Sequence, residues 1–374
     1  MSQDKVSVYL DYNATSPVRP GVADAVAASL REYGNPSSTH AFGRNARAAI
    51  EDARETLADA LGVAPSAVVF TSGGTEANAL ALRGVARSAG CQSIIASAIE
   101  HPSVLSHVGD ADRVPVKATG EIDLAALEKL LGARAAPALV ALMLANNETG
   151  TLQPVAEAAR IAKKHGALVH CDAVQALGKV AVDFGDLCVD SMSVSAHKAG
   201  GIKGAGALIL RPGLEISADI SGGGQERSRR AGTENVTGIV AFGAALVHAR
   251  RSENENGRVQ ALRDEMEAEI SRALPRARIF GRDAQRLGNT CCVAVPGVTS
   301  ESQIMWLDLA GIAVSAGSAC SSGKISPSHV LLAMGAAPEE AKAAIRVSLG
   351  WATTVEDIQR FLEVWLPLAS KAAA

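Results

Sequence analysis

Short apolar runs alternate with stretches of helical period from about Val68 to Gly206. Ala67–Phe70 predicts a strand, Thr71–Thr75 a turn and Glu76–Ser88 a helix. Ser93–Ser97 is strand-like, and Ala138–Leu144 is a seven-residue apolar run that leads into the polar loop Asn146–Gly150. An amphipathic helix follows over Val155–His165. Strands are then expected at Ala167–Cys171, Asp190–Ser195 and Gly206–Leu210. Continuous apolar strands separated by helices imply an α/β fold, with a mainly parallel sheet covered by helices on both faces.

The pattern then changes. Thr237–Leu274 reads as one long helix, highly charged after His248, bridging two domains. Beyond it, strands are predicted at Asn289–Val295, Ile312–Ser315 and Ala344–Leu349, and helices at Glu301–Ala310, Pro338–Ala344 and Thr354–Lys371. This second unit is smaller and of α+β type. A chain of 374 residues is too long for one ordinary core, so two domains are expected.

Composition narrows the function classes. Aromatics make up only 3% and the formal net charge is -3, so neither base-stacking platforms nor a basic footprint for a phosphate backbone is present. The uncharged stretches Asn235–Ala249 and Leu309–Gly323 fall short of the roughly 20 apolar residues of a membrane span. Nor does the N-terminus have a basic region followed by an apolar run, and a cytoplasmic protein is expected. The six cysteines contain no Cys-x-x-Cys pair and are expected to be reduced.

In open parallel sheets, ligands sit beyond the carboxyl ends of the strands, and the polar residues there are candidates. Thr71–Glu76 is a glycine-containing turn before a helix. It is either an anion cradle holding a phosphate or a simply capped helix start. Asp172, with Gln175 three residues on, ends a strand. It either holds a protonated ring nitrogen or caps the next turn. Lys198, in Ser195-Ala-His-Lys198, precedes a glycine-rich loop and is either a Schiff-base amine or a surface lysine. Ser221–Thr233, with Arg227, Arg229 and Arg230, is either an anion-facing loop or a solvated basic turn. His101 is either an acid/base group, one that stacks on a ring, or a structural histidine. Cys320 lies among nine small residues, Ser315–Gly323, a run expected to be a mobile, solvent-reachable loop. A phosphate cradle, an acid for a ring nitrogen and a Schiff-base lysine together suit pyridoxal 5′-phosphate (PLP).

Ten motifs, in order from residue 9 to residue 350, carry a family resemblance. They are Tyr9–Thr15, Gly34–Ser37, Phe70–Glu76, Glu100–Pro102, Asn146–Gly150, Asp172–Gln175, Ser195–Lys198, Arg230–Asn235, Ser315–Cys320 and Arg346–Gly350. Through them the chain resembles the cysteine desulfurases of the NifS/IscS type, in the class V branch of the PLP enzymes of fold type I. The resemblance implies a large PLP-binding domain over 15–255 and a small domain over 256–374, joined by the N-terminal segment 1–14. It implies that Lys198 carries the Schiff base and that Asp172 pairs with the pyridinium nitrogen. His101 stacks on the ring and helps proton transfer, and Gln175 binds the phenolic oxygen. Gly74, Thr75, Ser195 and His197 hold the phosphate. Thr233 reaches the phosphate of a neighbouring subunit, so a homodimer is implied. Asn147 and Arg346 grip the carboxylate of L-cysteine, and Cys320 takes its sulfur as a persulfide, leaving L-alanine. The persulfide is passed to a sulfur-acceptor or scaffold protein of iron–sulfur assembly or to another thiolation pathway. Whether Cys320 also ligates a cluster is left open.

The chain departs from the family pattern in three places. Ile202 replaces a usual proline. The chain ends soon after Leu366, without the longer scaffold-docking tail of housekeeping members. The cysteine motif reads Ser-Ala-Gly-Ser-Ala-Cys-Ser-Ser-Gly. Two alternatives share the scaffold, a selenocysteine lyase and a class V aminotransferase, and the position of Cys320 argues against the second. A third alternative, a non-enzymatic scaffold protein, is opposed by the presence of both Lys198 and Asp172.

Overall fold

The computed structural model describes residues 7–251, 254–317 and 327–373. Its strands in chain order are β1 (Val8–Tyr9), β2 (Val68–Thr71), β3 (Ser93–Ser97), β4 (Arg113–Val114), β5 (Ala138–Met143), β6 (Leu168–Asp172), β7 (Ser191–Ser195), β8 (Gly206–Leu210), β9 (Arg278–Phe280), β10 (Thr290–Ala294), β11 (Ile312–Ala313), β12 (Ser315–Ala316) and β13 (Ala344–Ser348). Seven of them form the main sheet in the order β2-β8-β7-β6-β5-β3-β4. The pairings β3–β4, β3–β5, β5–β6 and β6–β7 are parallel, whereas β8 runs antiparallel to both β7 and β2. The expected parallel sheet therefore holds, with β8 reversed. Parallel neighbours need a crossover of a dozen or more residues. The turn from Ser195 to Gly206 is shorter than that and brings the chain straight back.

Every residue of β5 is buried. The helix Val155–Lys164 packs on the sheet through Val155, Ala158, Ala159 and Ala162, spaced 3, 1 and 3 residues apart as one helical face requires. Two N-terminal helices, Pro20–Ser29 and Ala41–Leu61, precede the stretch in which elements were expected. The second buries Ala46, Ile50, Ala53, Leu57 and Leu61 at helical spacing, together with Arg54. Gly62 ends it in the left-handed conformation, at φ 68°. The expected helix Glu76–Ser88 has three parts: an α-helix over Gly74–Ala79, a π-helical stretch over Leu80–Val85 and a last turn over Ala86–Ser88. The single long helix expected over Thr237–Leu274 is two, Val236–Arg251 and Glu255–Ala273.

The smaller sheet is antiparallel, in the order β12-β13-β10-β9. Its core includes Leu262, Met266, Ile270, Phe361 and Trp365. The N-terminal strand β1 pairs parallel with β11, so the start of the chain is built into this unit. Ser315, expected to end a strand, and Ala316, expected in the loop of small residues, both pair with β13, opposite Arg346 and Ile345. Cys320 lies outside the described residues. Ile202, at the position of the usual proline, packs on Val22, Ala241 and Ala245.

The outer edge of β2 is closed by side chains. Arg54 Nη1 donates to the Val68 carbonyl at 2.9 Å, and Glu226 Oε2 accepts from the Phe70 N–H at 2.8 Å. The two side chains also form a buried two-point ion pair, 2.9 and 2.8 Å. This clamp over-determines a strained loop, for Glu226, Arg227 and Ser228 all have positive φ. Removing one partner of a buried pair strands the other charge, typically at about 3–5 kcal/mol. Glu226→Ala is expected to lower the free energy of unfolding by that order, and Glu226→Gln by less. Denaturant titration checks this, and equal stability in all three proteins would refute the clamp.

Candidate active site

A cavity of about 480 Å³ opens at the carboxyl ends of β6 and β7, where the main sheet meets the N-terminal segment and β13. Asp172 ends β6, and Ser195 ends β7 just before Lys198. All three line the cavity.

Asp172 is held from behind. Its Oδ2 accepts from Asn78 Nδ2 at 2.8 Å and its Oδ1 from the Val174 N–H at 3.0 Å. The Asn78 amide is fixed in turn, with Oδ1 receiving Ser193 Oγ at 2.5 Å and His170 Nε2 at 3.0 Å. Because Asn78 Oδ1 can only accept, the proton of His170 sits on Nε2. His170 Nδ1 then accepts from Ser191 Oγ at 2.9 Å. Burial pushes His170 down to about 4, so it is neutral at neutral pH. Asn78 Nδ2 also reaches Ser103 Oγ at 2.9 Å, and Ser103 Oγ lies 2.8 Å from His101 Nδ1. His101 Nδ1 further accepts the Ser103 N–H at 3.1 Å, so the proton of neutral His101 is on Nε2. Burial lowers the proton affinity of His101, partly opposed by Asp172. Asn78 thus couples the acid of the site to its histidine.

Lys198 Nζ donates to the carbonyls of Asn13 and Ala14 at 2.5 and 2.8 Å. Gln175 Nε2 donates to the same Asn13 carbonyl at 2.9 Å. Lys179, in the turn after β6, donates to Gln175 Oε1 at 2.7 Å and to Asn13 Oδ1 at 2.9 Å.

Opposite lies an anion cradle. Gly74 opens a helix whose first N–H groups have no partner within that helix. A Cβ at Gly74 would sit 2.6 Å from Val174 Cγ2, so only glycine fits there. Thr75 and His197 line the same wall. Among the described residues, Ser195 Oγ is buried without any hydrogen-bond partner, a donor waiting for an acceptor. Burial, then Lys198, Lys203 and Lys179, push His197 down to about 4. Across the cavity, Arg346 donates from Nη1 to the Asn147 carbonyl at 3.0 Å and from Nη2 to Asp11 Oδ1 at 2.7 Å. Its Nε is buried and has no partner among the described residues.

Ten of the residues singled out in the sequence therefore meet in one cavity: Gly74, Thr75, His101, Asn147, Asp172, Gln175, Ser195, His197, Lys198 and Arg346. Thr233 does not. It is exposed, in a loop held to the helix Ala41–Leu61 through Arg47 and Glu234, 3.6 Å apart. The arginines of the basic loop are also committed, Arg227 and Arg229 to the Ser66 carbonyl and Arg230 to Glu76. Sequence reading missed Asn13, Asn78, His170 and Lys179. One signal was available, since His170 is a polar residue inside an apolar strand.

The Aminotransferase class-V family model matches residues 8–361. The chain is 42% identical to cysteine desulfurase IscS of Dictyoglomus turgidum, covering 96% of this chain and 94% of that one. It is 43% identical to a cysteine desulfurase of Cereibacter sphaeroides, covering 98% and 97%. Among solved structures it is similar to a NifS-like protein from Rickettsia africae, with a TM-score of 0.88 at 36% identity over 97% of this chain and 99% of that one.

The neutral His170 makes stability depend on pH. Between its ordinary value of 6.5 and about 4, the unfolded chain binds a proton that the folded chain refuses. Stability is therefore complete above that window and falls as pH drops through it, and His197 adds in the same direction. The urea midpoint is expected to fall between pH 7 and pH 5, and to fall less in His170→Gln. An equal fall in both proteins would exclude His170 as a source.

Proposed function

This chain belongs to the aminotransferase class-V family, and on that premise we propose that it is a PLP-dependent cysteine desulfurase. The observation that carries this reading is the convergence of Lys198, Asp172 and the orphaned Ser195 hydroxyl on one cavity. That donor set fits PLP: a phosphate for the Gly74–Thr75 turn, Ser195 and His197, and a ring nitrogen for Asp172. Gln175 would donate to the phenolic oxygen, and the His101 ring would cover one face. When bound, PLP withdraws electrons from the substrate carbons and so eases proton loss and cleavage of the bond to sulfur.

The chain's own residues do the rest. Arg346, with Asn147, would bind the L-cysteine carboxylate, and that carboxylate supplies the partner Arg346 Nε lacks. Lys198 Nζ would move protons at the substrate carbons. His101, its Nδ1 tied to Ser103, would exchange protons at Nε2. The Cys320 thiolate would take the sulfur: the substrate C–S bond breaks, an S–S bond forms on Cys320, and the carbon is reprotonated to give L-alanine. The sulfur would pass to an acceptor or scaffold protein of iron–sulfur assembly, a role that the name IscS of one relative supports.

We also propose a cytoplasmic homodimer. Among the described residues, no helix is long and apolar enough to cross a membrane. Leu30 and Tyr33 are 70% and 79% exposed, and Tyr33 stacks on the half-exposed Phe42 at 5.1 Å. Arg47, on the helix that carries Phe42, reaches the loop of Thr233. A second copy covering this face would bring Thr233 toward the partner's cavity.

Three outcomes are expected. Cys320→Ala should form L-alanine from L-cysteine more than about a hundredfold slower while retaining PLP absorbance. Undiminished turnover would overturn the assignment. Arg346→Lys should raise KM for L-cysteine about tenfold to a hundredfold, as loss of a charged hydrogen bond of roughly 1.5–3 kcal/mol implies. Tyr33→Asp should sediment as a monomer, and an intact dimer would place the interface elsewhere.

A further inference from the structure

Lys179 is a second amine that the proposed chemistry does not use. It follows Gln175 by four residues and ends in the wall behind Lys198. Both of its acceptors are neutral amide oxygens, and among the described residues it makes no ion pair with an acid. Burial pushes its proton affinity well below the usual lysine range, and Lys198 and Arg346 push it in the same direction. A lysine placed only for packing would leave its charge in water, since burying an unpaired cation is unfavourable. Here the amine is turned inward, toward another amine.

Asn13 fixes the relation between the two. Its Nδ2 faces the Asn147 carbonyl at 3.2 Å and Thr290 Oγ1 at 2.9 Å, so its Oδ1 must be the oxygen that Lys179 meets. Its main-chain carbonyl, a few bonds away, receives Lys198. The two amines therefore hang from opposite ends of one immobile residue. Like charges brought close each lower the other's affinity for a proton, and this is how an amine is kept nucleophilic at neutral pH.

We propose that Lys179 is a positioning residue for Lys198, a second amine held beside it through Asn13 that keeps the Lys198 nitrogen unprotonated. This rests on the reading that Lys198 carries the cofactor. Other charged or titratable groups also face the pair. Asp172 and His101 lie in the cavity, and His197 and Lys203 in the loop around Lys198. Arg346 is paired with Asp11 and Arg19 with Glu255, and Tyr12 lies behind. The acids among them work against Lys179, so its share must be measured by removing it alone.

The test is the visible absorbance of the resting holoenzyme against pH, which reports protonation at the Lys198 nitrogen without turnover. Lys179→Met is expected to raise the midpoint by about one pH unit, a tenfold gain in proton affinity. Lys179→Arg, which keeps the charge, should hold the midpoint at or below that of wild type. If the Met variant does not fold, Lys179→Gln replaces it with the same expectation. A neutral variant whose midpoint stays within about 0.2 units of wild type, or falls, overturns the proposal even if kcat drops. Failure of the underlying reading looks different: wild type would gain no PLP absorbance, or Lys198→Ala would gain the same.

Discussion

Asn13 is the residue on which the rest of the structure turns. It is 1% exposed, and every polar atom it has is bound. Its N–H goes to Ser348 Oγ and its side-chain amide to Thr290, Asn147, Asn289 and Lys179. Its carbonyl takes Gln175 and Lys198. Ser348, Asn289 and Thr290 belong to the small unit, whereas Gln175, Lys179 and Lys198 extend from the main sheet. One short side chain thus sets the distance between the two halves of the cavity. Its backbone is carried by the N-terminal segment, which β1 anchors to the small unit. A buried polar network of this kind tolerates no partial version, because any group left unpaired bears its full desolvation penalty.

The site manages charge by a consistent division. Burial works against charge: it raises the carboxyls of Glu100 and Glu148 and lowers His101 and His170. Cations kept inside mostly meet acids at two points or close range, as in Arg346 with Asp11 and Arg19 with Glu255. Asp172 is a buried acid whose contacts are hydrogen-bond donors and not a cation.

Much of this was legible in the sequence, because strand ends concentrate function. Asp172, Ser195 and Lys198 each stand where an apolar run stops, and the glycine turn at 73–74 precedes a helix. The hidden parts share a physical cause. Asn13 and Asn78 act by satisfying neighbours far away in sequence, and a lone asparagine carries no such address. The reversal of β8 depends on a connection too short for a crossover, a property of length that hydropathy ignores. The helix Ala41–Leu61 does carry apolar positions at helical spacing, Ala46, Ile50, Ala53, Leu57 and Leu61, so it was legible in principle; the buried Arg54 among them was not. Small residues made the run around Cys320 a loop in the sequence, and the role of its thiol came from the family resemblance of the Ser315–Cys320 motif.

The closed edge of β2 has a consequence for how copies of the folded chain can meet. A sheet grows by offering free N–H and C=O groups to a new strand. At one end of the main sheet, Arg54 occupies the Val68 carbonyl and Glu226 the Phe70 N–H. At the other end, β4 is two residues long and offers almost no ladder. The main sheet is therefore finite by construction. Copies of this chain must associate through side-chain surfaces, which can be specific and reversible, and not by extending the main sheet, which would be neither.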